Sequence, residues 1–326
     1  MTQKYLITGV AGFIGSNLLE ALLMKGEKVV GLDNFSTGSK KNLNHVSEIV
    51  GKKWDNFEFL ESDLNEDLTM HYDSLFKGID CVIHLAALGS VPRSINNPIN
   101  TNKSNISGFL NILDFARKSE IKQFIYASSS SVYGDNESLP KIEDDIGKPL
   151  SPYALTKQVN EMYAKVFYDV YSYSTIGLRF FNVFGPRQNP DGDYAAVIPR
   201  WLKAMINNED IYIYGDGKTT RDFCYIENVI EIILSAVNVD FDGFEIFNVA
   251  VGEQTSLEEI ANSVKKEIAS YGVNYNKDFH YVDFRKGDVR ASLADISRAH
   301  EMLGYHPKVK CLDGIKKYVE SIYDDN

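Results

Sequence analysis

Between Lys4 and Arg179, short apolar runs alternate with longer stretches in which apolar positions recur every three or four residues. The runs Tyr5–Thr8, Lys28–Leu32, Phe57–Leu60, Cys81–His84, Phe124–Ala127 and Thr175–Leu178 read as strands. The amphipathic stretches Phe13–Met24, Leu68–Phe76, Asn102–Lys118 and Pro152–Val170 read as helices between them. Strand and helix alternating at this spacing imply parallel strands joined by right-handed crossovers, so the expected fold class is α/β with a doubly wound parallel sheet. Ligands in such sheets sit past the carboxyl ends of the strands. The loops to search are therefore Gly9–Gly15, Asp33–Gly38, Asp63-Leu64, Leu85–Arg93, Ser128–Gly134 and Phe180–Arg187.

Beyond Asn182 the texture changes. Gly185-Pro186-Arg187 and Asn189-Pro190-Asp191-Gly192 are turn-rich, and the elements after them are shorter. A smaller second region is expected from Ala196–Asn207, Ile211–Tyr214, Leu257–Ser270 and the C-terminal tail. Glu227–Val237 and Phe244–Ala250 read as one more helix and strand, returning to the first domain.

Two patterns carry chemistry. In YLITGVAGFIG, residues 5–15, a strand meets a glycine turn and then a helix. Gly9 permits the tight turn, Gly12 lets backbone N–H groups approach a pyrophosphate, and Gly15 lets the helix sit close to the strand. The second strand ends in Asp33-Asn34, and an acid about twenty residues past such glycines binds an adenosine ribose hydroxyl. Together these features point to a dinucleotide. The other pattern is Ser128-Ser129-Ser130-Ser131 followed by Tyr153 and, four residues on, Lys157. Pro152 suits the first turn of a helix, so Tyr153 and Lys157 stand on one helix face. An ammonium near a phenol favours the phenolate, and such a tyrosine can take a proton from a sugar hydroxyl near neutral pH. Tyr-x-x-x-Lys also arises by chance on amphipathic helices. Here it coincides with a serine-rich loop at the sheet's carboxyl edge, beside the expected dinucleotide.

Composition narrows the field. The 326 residues allow one large domain or two smaller ones, and the net charge of −11 argues against a nucleic-acid surface. Cys81, Cys224 and Cys311 are far apart and form no Cys-x-x-Cys pair, which fits a reduced, cytoplasmic setting. The six histidines make no cluster with ligand spacing, so no metal is expected. No stretch reaches the about eighteen apolar residues of a membrane helix, and the glycine-broken N-terminus reads as mature protein rather than a signal peptide.

TGVAGFIG, Asp33-Asn34, His84-Leu85-Ala86-Ala87, SSSSVYG, Pro152-Tyr153-Ala154-Leu155-Thr156-Lys157 and LRFFNVFGPRQ together resemble the extended short-chain dehydrogenase/reductase family over nearly the whole length. LGSVPRS, NPDGDYAAVIPRW and GDGKTTRDFCYIENV are most similar to its bacterial UDP-N-acetylglucosamine 4-epimerase branch. The resemblance implies a Rossmann NAD-binding domain over residues 1–181, joined by 225–252, and a smaller α/β nucleotide-sugar-binding domain over 182–326. It also implies tightly held NAD, a transient 4-keto sugar and a homodimer. The long helices Asn102–Lys118 and Pro152–Val170 resemble those of the family's dimer contact, although the apolar face with Phe109, Ile112 and Leu113 could equally meet the sheet.

Position by position, the resemblance makes Ser129 the proton-relay serine, Tyr153 the base and Lys157 its partner and a contact of the nicotinamide ribose. Gly9, Gly12, Phe13, Ile14 and Gly15 match the pyrophosphate loop, and Asp33 the ribose-binding acid that favours NAD over NADP. Asn34, Ser36, Thr37 and Gly38 match adenosine-side contacts, Asp63 and Leu64 the adenine edge. Leu85, Ala86 and Ala87 match the loop under the cofactor, and Asn105 a further contact. On spacing alone Asp63 is as readily a loop-capping acid. For the substrate, Asn182, Ala196, Val197, Arg221 and Arg285 match diphosphate and ribose contacts, Tyr212 and Tyr214 flank the uracil, and Asp288 meets a uridine hydroxyl. Alternate tyrosines on a strand are also common as simple packing, and lone arginines as solvated charges. Ser292 stands where enzymes restricted to non-acetylated sugars carry a tyrosine, so room is expected for a 2-acetamido group, with Gly89, Ser130, Asn182 and Ala196 as the other walls.

Related activities are less well matched. Nucleotide-sugar 4,6-dehydratases resemble this chain but carry Asp-Glu where it has Ser130-Ser131, and decarboxylating relatives carry a glutamate in that loop. UDP-glucose and UDP-N-acetylglucosaminuronic acid 4-epimerases remain as alternatives. A non-catalytic sensor on this fold would be expected to lack the Tyr–Lys pair.

Overall fold

A computed structural model describes residues 2–66, 76–191, 195–284 and 289–324. Strand β1 (Lys4–Thr8) buries every side chain after Lys4, β2 (Lys28–Asp33) every one after Lys28, and β4 (Cys81–His84) all four. Strands apolar along their whole length belong in a sheet covered on both faces. In β3 (Phe57–Glu61) only Leu60 is buried, as suits an edge. With β5 (Gln123–Ser129), β6 (Thr175–Phe180) and β7 (Phe244–Val249) the order is β7-β6-β5-β4-β1-β2-β3. The pairings β3–β2–β1–β4–β5 are parallel, with Leu6 opposite Val30 and Val82. The sheet is therefore the doubly wound α/β arrangement expected from the alternation.

Helices α1 (Phe13–Met24), α2 (Lys40–Val50), α3 (Gly108–Lys118) and α4 (Pro152–Tyr171) accompany it. Phe109, Ile112 and Leu113 of α3 and Ala164 and Phe167 of α4 join Leu6, Val30, Val82, Phe124 and Tyr126 in one core. Each such large side chain contributes about 1.5–3 kcal/mol on burial. Of the two roles left open for the apolar face of α3, the structure selects packing in the core.

Two elements depart from expectation. The helix expected over Asn102–Lys118 is broken into Pro98–Asn102, a π-turn Lys103–Ser107 and α3, and the π-turn carries Asn105 into the interior. Helix α2 follows Ser39, whose hydroxyl accepts from Lys41 N–H. The helix expected at Leu68–Phe76 lies, apart from Phe76, outside the described residues.

The chain divides into two units. One comprises Met1–Asn136, Glu143–Arg179 and Ile232–Phe247; the other comprises Glu137–Ile142, Phe180–Glu231 and Asn248–Asn326. In the second, helix Leu257–Ala269 packs against Val197–Ile206 and Cys311–Asp324. Short strand pairs accompany these helices: Tyr212–Tyr214 with His280–Val282, Thr220–Arg221 with Thr255–Ser256, and Val183–Phe184 with Cys224–Tyr225.

Candidate active site

The carboxyl ends of β1 to β4 open onto a cavity of about 300 Å³. From the β1 loop it is lined by Gly9, Gly12, Phe13, Ile14 and Gly15; from β2 by Asp33, Asn34, Ser36 and Thr37. Asp63 and Leu64 line it after β3, and Leu85, Ala86 and Ala87 after β4, with Gly89, expected at the sugar, among them. The backbone explains the glycines. Gly9 has φ +73°, and a Cβ there would stand 2.8 Å from Ala86 N. A Cβ on Gly15 would come 2.1 Å from Gly9 O, so only hydrogen lets α1 approach the turn. Helix α1 starts after Gly12 with no side-chain cap and no acid in its first turn, leaving N–H groups and the helix dipole for an anion.

Asp33 is buried, and its carboxylate accepts from Ala11 N–H at 3.0 Å and Phe35 N–H at 2.8 Å. Burial raises its pKa, and these N–H groups oppose the rise. A Cβ on Gly38 would lie 2.9 Å from both Asp33 oxygens; Gly38 thus makes room for the acid and is not itself part of the lining. Asn34 Nδ2 donates to Asp63 at 2.9 Å, and Asn65 donates to the same carboxylate through its N–H and its side chain. Burial pushes Asp63 up, but these donors prevail and hold it below the usual carboxylate range. Asp63 is therefore a loop-capping acid and a cavity wall at once. A glycine cradle beside a helix N-terminus, with a buried acid on the neighbouring strand, fits a dinucleotide.

Asn105 does not line this cavity. Its Oδ1 accepts from Leu88 N–H at 2.7 Å, and its Nδ2 donates to Leu88 O and Thr156 Oγ1, both at 3.2 Å. It thereby fastens the β4 loop to α4. Ser62, Asn65 and Ser104 do line the cavity and were not anticipated. Ser62 lies at the strand end that the carboxyl-edge rule indicates, whereas Ser104 is brought in by the π-turn.

Helix α4 carries Tyr153 and Lys157. Ser151 caps it by accepting from Ala154 N–H at 3.1 Å, and Pro152 occupies the first turn. The Tyr153 hydroxyl is hydrogen-bonded to Ser129 at the end of β5. Lys157 is buried, and its Nζ donates to Ala127 O at 2.7 Å. The expected lowering of the tyrosine pKa by Lys157 is not seen. Burial pushes the Tyr153 phenol up, the Ser129 hydrogen bond opposes this, and the ammonium is engaged by the Ala127 carbonyl instead. Burial also brings Lys157 down to about 8, against a raising effect from Glu161. His84 donates to or accepts from Thr8 Oγ1 at 2.8 Å, and burial, with the Lys157 charge, lowers it to about 3.

Glu161, one turn beyond Lys157, was not anticipated. Arg179 grips it through Nε at 2.9 Å and Nη2 at 2.8 Å, and the Ser128 hydroxyl donates to it as well. The remaining Arg179 donor reaches Tyr133 OH at 3.1 Å and Glu143 O at 2.8 Å. Arg179 and Glu161 are 2% and 5% exposed, so both charges are withdrawn from water.

The expected sugar-nucleotide residues of the second unit that are described fall in four places. Tyr212 and Tyr214, on one face of their strand, line a cavity of about 380 Å³ with Trp201 and Arg200. Arg221 Nη1, at 2.9 Å, and Ser292 N–H, at 3.1 Å, both donate to Thr220 O, which sets these two residues side by side. Asn182 has φ +34° and donates through Nδ2 to Asp222 O at 3.0 Å. Ala196 is the uncapped residue before helix Val197–Ile206, leaving Val197 at its first turn. Ser130, in the first unit, opens the 3₁₀ turn Ser130–Tyr133. Arg285 and Asp288 lie outside the described residues. Among the described residues no group of three or more His, Cys, Asp or Glu is arranged for a metal, the three cysteines are free and buried, and no helix is long and apolar enough to cross a membrane.

Known proteins share this fold. The model of the NAD dependent epimerase/dehydratase family matches residues 5–250. A putative UDP-glucose 4-epimerase of Methanocaldococcus jannaschii is 37% identical over 323 residues, covering 98% of this chain and 99% of that protein. The structure of a UDP-glucose 4-epimerase from Thermotoga maritima with UDP-glucose superposes with a TM-score of 0.89 at 34% identity, covering 99% of each chain. That of a UDP-N-acetylglucosamine 4-epimerase from Methanobrevibacter ruminantium M1 with UDP-N-acetylmuramic acid gives 0.89 at 34%, covering 100% of each. With a glycine cradle for a dinucleotide and a serine–tyrosine–lysine set at the sheet's carboxyl edge, the chain belongs to the NAD dependent epimerase/dehydratase family, as an NAD-dependent enzyme of the short-chain dehydrogenase/reductase type whose relatives are UDP-sugar 4-epimerases.

Proposed function

We propose that this enzyme inverts C4 of a UDP-sugar through a transient 4-keto sugar, with UDP-N-acetylglucosamine and UDP-N-acetylgalactosamine as its pair of substrates. The observation that carries the reading is the Tyr153 hydroxyl hydrogen-bonded to Ser129, with Lys157 one helical turn beyond it. NAD, when bound, supplies the hydride acceptor and donor at C4 and a positive charge that favours the phenolate. Tyr153 takes the proton of the sugar 4-hydroxyl and returns it after the ketone has turned its other face; Ser129 relays that proton. Burial raises the Tyr153 phenol and the Ser129 hydrogen bond opposes it, so the positive charge that NAD brings when bound is what would favour the phenolate near neutral pH.

The cavity at the ends of β1 to β4 is the proposed NAD site, with the pyrophosphate at Gly9–Gly15 and the adenosine ribose at Asp33. Asn182, Ala196, Val197, Tyr212, Tyr214, Arg221, Arg285, Asp288 and Ser292 are the proposed contacts of the UDP-sugar, together with Gly89 and Ser130. A small side chain at Ser292, beside Arg221, supports a 2-acetamido group. The relative bound to UDP-N-acetylmuramic acid, which also carries one, is in keeping with this. The relative bound to UDP-glucose matches the chain as well, which makes UDP-glucose the second reading. We further read the protein as a cytoplasmic homodimer. The test is to supply UDP-glucose, UDP-N-acetylglucosamine and UDP-N-acetylglucosaminuronic acid separately, without added coenzyme. UDP-N-acetylgalactosamine should form fastest, with no net NADH; epimerisation of either other sugar alone would overturn the assignment.

A further inference from the structure

On α4, Tyr153, Lys157 and Glu161 succeed one another at intervals of four residues, on the face turned to the sheet. Glu161 is held from β6 by Nε and Nη2 of Arg179 and from β5 by the Ser128 hydroxyl, and Ser128 follows the Ala127 whose carbonyl receives Lys157 Nζ. A buried ion pair is a poor means of adding stability, since its desolvation cost offsets most of the attraction. Its place behind the lysine calls for another reason. Resting on the reading of Tyr153 and Lys157 given above, we propose that Glu161, clamped by Arg179 and Ser128, is a positioning residue that keeps the Lys157 side chain charged and seated on the end of β5.

The surroundings of Lys157 leave Glu161 to do this. From β4 it is faced by His84, which burial keeps neutral; from its own helix by Tyr153, a phenol. Tyr126 on β5 is buried and un-ionised, and Tyr133 of the 3₁₀ turn is engaged by Arg179. Arg93, on the short helix Val91–Asn96, and Lys103, in the π-turn packed against α4, are themselves cations and offer an ammonium no attraction, whereas Glu161 raises the lysine pKa against burial.

The experiment is a pH titration of the full chain labelled with ¹³C-lysine, following the ε-carbon signal that disappears in Lys157→Arg. Glu161→Gln should move the Lys157 midpoint down by about one pH unit, and Glu161→Asp should restore most of it. Because Glu161→Gln strands the Arg179 charge and can unfold the chain, Glu161→Leu/Arg179→Met is titrated too; it removes both charges and should show the same downward shift. An unchanged midpoint in the double variant, or in a folded Glu161→Gln, overturns the proposal. The alkaline limb of 4-epimerase activity should move with the midpoint. If the midpoint moves while no UDP-sugar is turned over by the wild type, the proposed function fails and the role of Glu161 stands.

Discussion

Replacing Tyr153 by Phe removes one oxygen, and with it the hydroxyl on α4 that is hydrogen-bonded to Ser129 and can exchange a proton. Turnover should fall about 10²–10⁴-fold, while NAD remains bound in the purified protein; full activity in Tyr153→Phe would end the proposed mechanism. Ser292→Tyr should depress turnover of UDP-N-acetylglucosamine far more than that of UDP-glucose, and equal rates on the acetylated sugar before and after would show that the gate lies elsewhere. His84 gives a prediction for pH. Its ring stays neutral in the fold down to about pH 3, whereas in the unfolded chain it takes a proton near 6.5. The stability it contributes is thus present above pH 6.5 and lost as pH falls toward 3, at up to about 1.4 kcal/mol per pH unit. His84→Phe keeps the ring packed near Phe109 and Phe124 and cannot titrate, so urea midpoints at pH 6.5 and 4.5 should differ less in the variant than in the wild type. Tyr153 and Lys157 were legible in the sequence because their relation is local, one turn of a helix. Glu161 and Arg179 were not: they lie 18 residues apart on a helix and a strand, and only the packing of α4 on the sheet makes them partners.

The strand–helix alternation survives folding because it expresses burial. Strands apolar throughout can only sit inside a covered sheet, and the glycines between β1 and α1 are dictated by backbone contact. That contact yields a paired prediction. Gly15→Ala puts a methyl 2.1 Å from a backbone oxygen that cannot give way, so it should cost about 2–4 kcal/mol of stability in urea unfolding. Gly89→Ala, with nothing within 4 Å of the added carbon, should stay within about 0.5 kcal/mol. Comparable losses at both positions would mean that the turn yields, contrary to the geometry. The sequence was silent on α2 because only Leu43, Val46 and Val50 are buried among polar neighbours, and a stripe that narrow resembles a loop. The π-turn was hidden for a different reason. A single extra residue in a helical turn leaves the apolar periodicity on either side intact, yet it carries Asn105 into the interior, where its side chain meets the backbone of Leu88.

At the scale of the molecule, α4 has two opposite characters. Lys157, Glu161, Ala164 and Phe167 face inward, while Leu155, Met162, Val166 and Val170 form an apolar stripe on the other side, with Met162 67% and Val170 64% exposed. The short helices Val91–Asn96 and Pro98–Asn102, packed beside α4, carry two more exposed apolar side chains, Ile95 and Ile99, 61% and 82% exposed. Exposed apolar side chains of this kind on a chain of net charge −11 suit a second copy better than a basic or acidic partner, since two-fold symmetry lays the same stripe against itself. α3 offers no such surface, its large apolar residues being spent in the core. The homodimer proposed above is therefore expected to close on α4. Met162→Lys/Val166→Lys should give a monomer in sedimentation velocity at concentrations where the wild type sediments as a dimer, with urea stability of the monomeric fold nearly unchanged because both side chains already meet water in the single chain. A wild type that sediments as a monomer at every concentration, or a double variant that stays dimeric, would exclude this face as the interface. The stripe lies across the same helix that carries Tyr153 and Lys157 on its other side, so pairing two α4 helices would stiffen the element from which the proposed catalytic side chains project; a monomeric variant should for that reason lose turnover rather than fold.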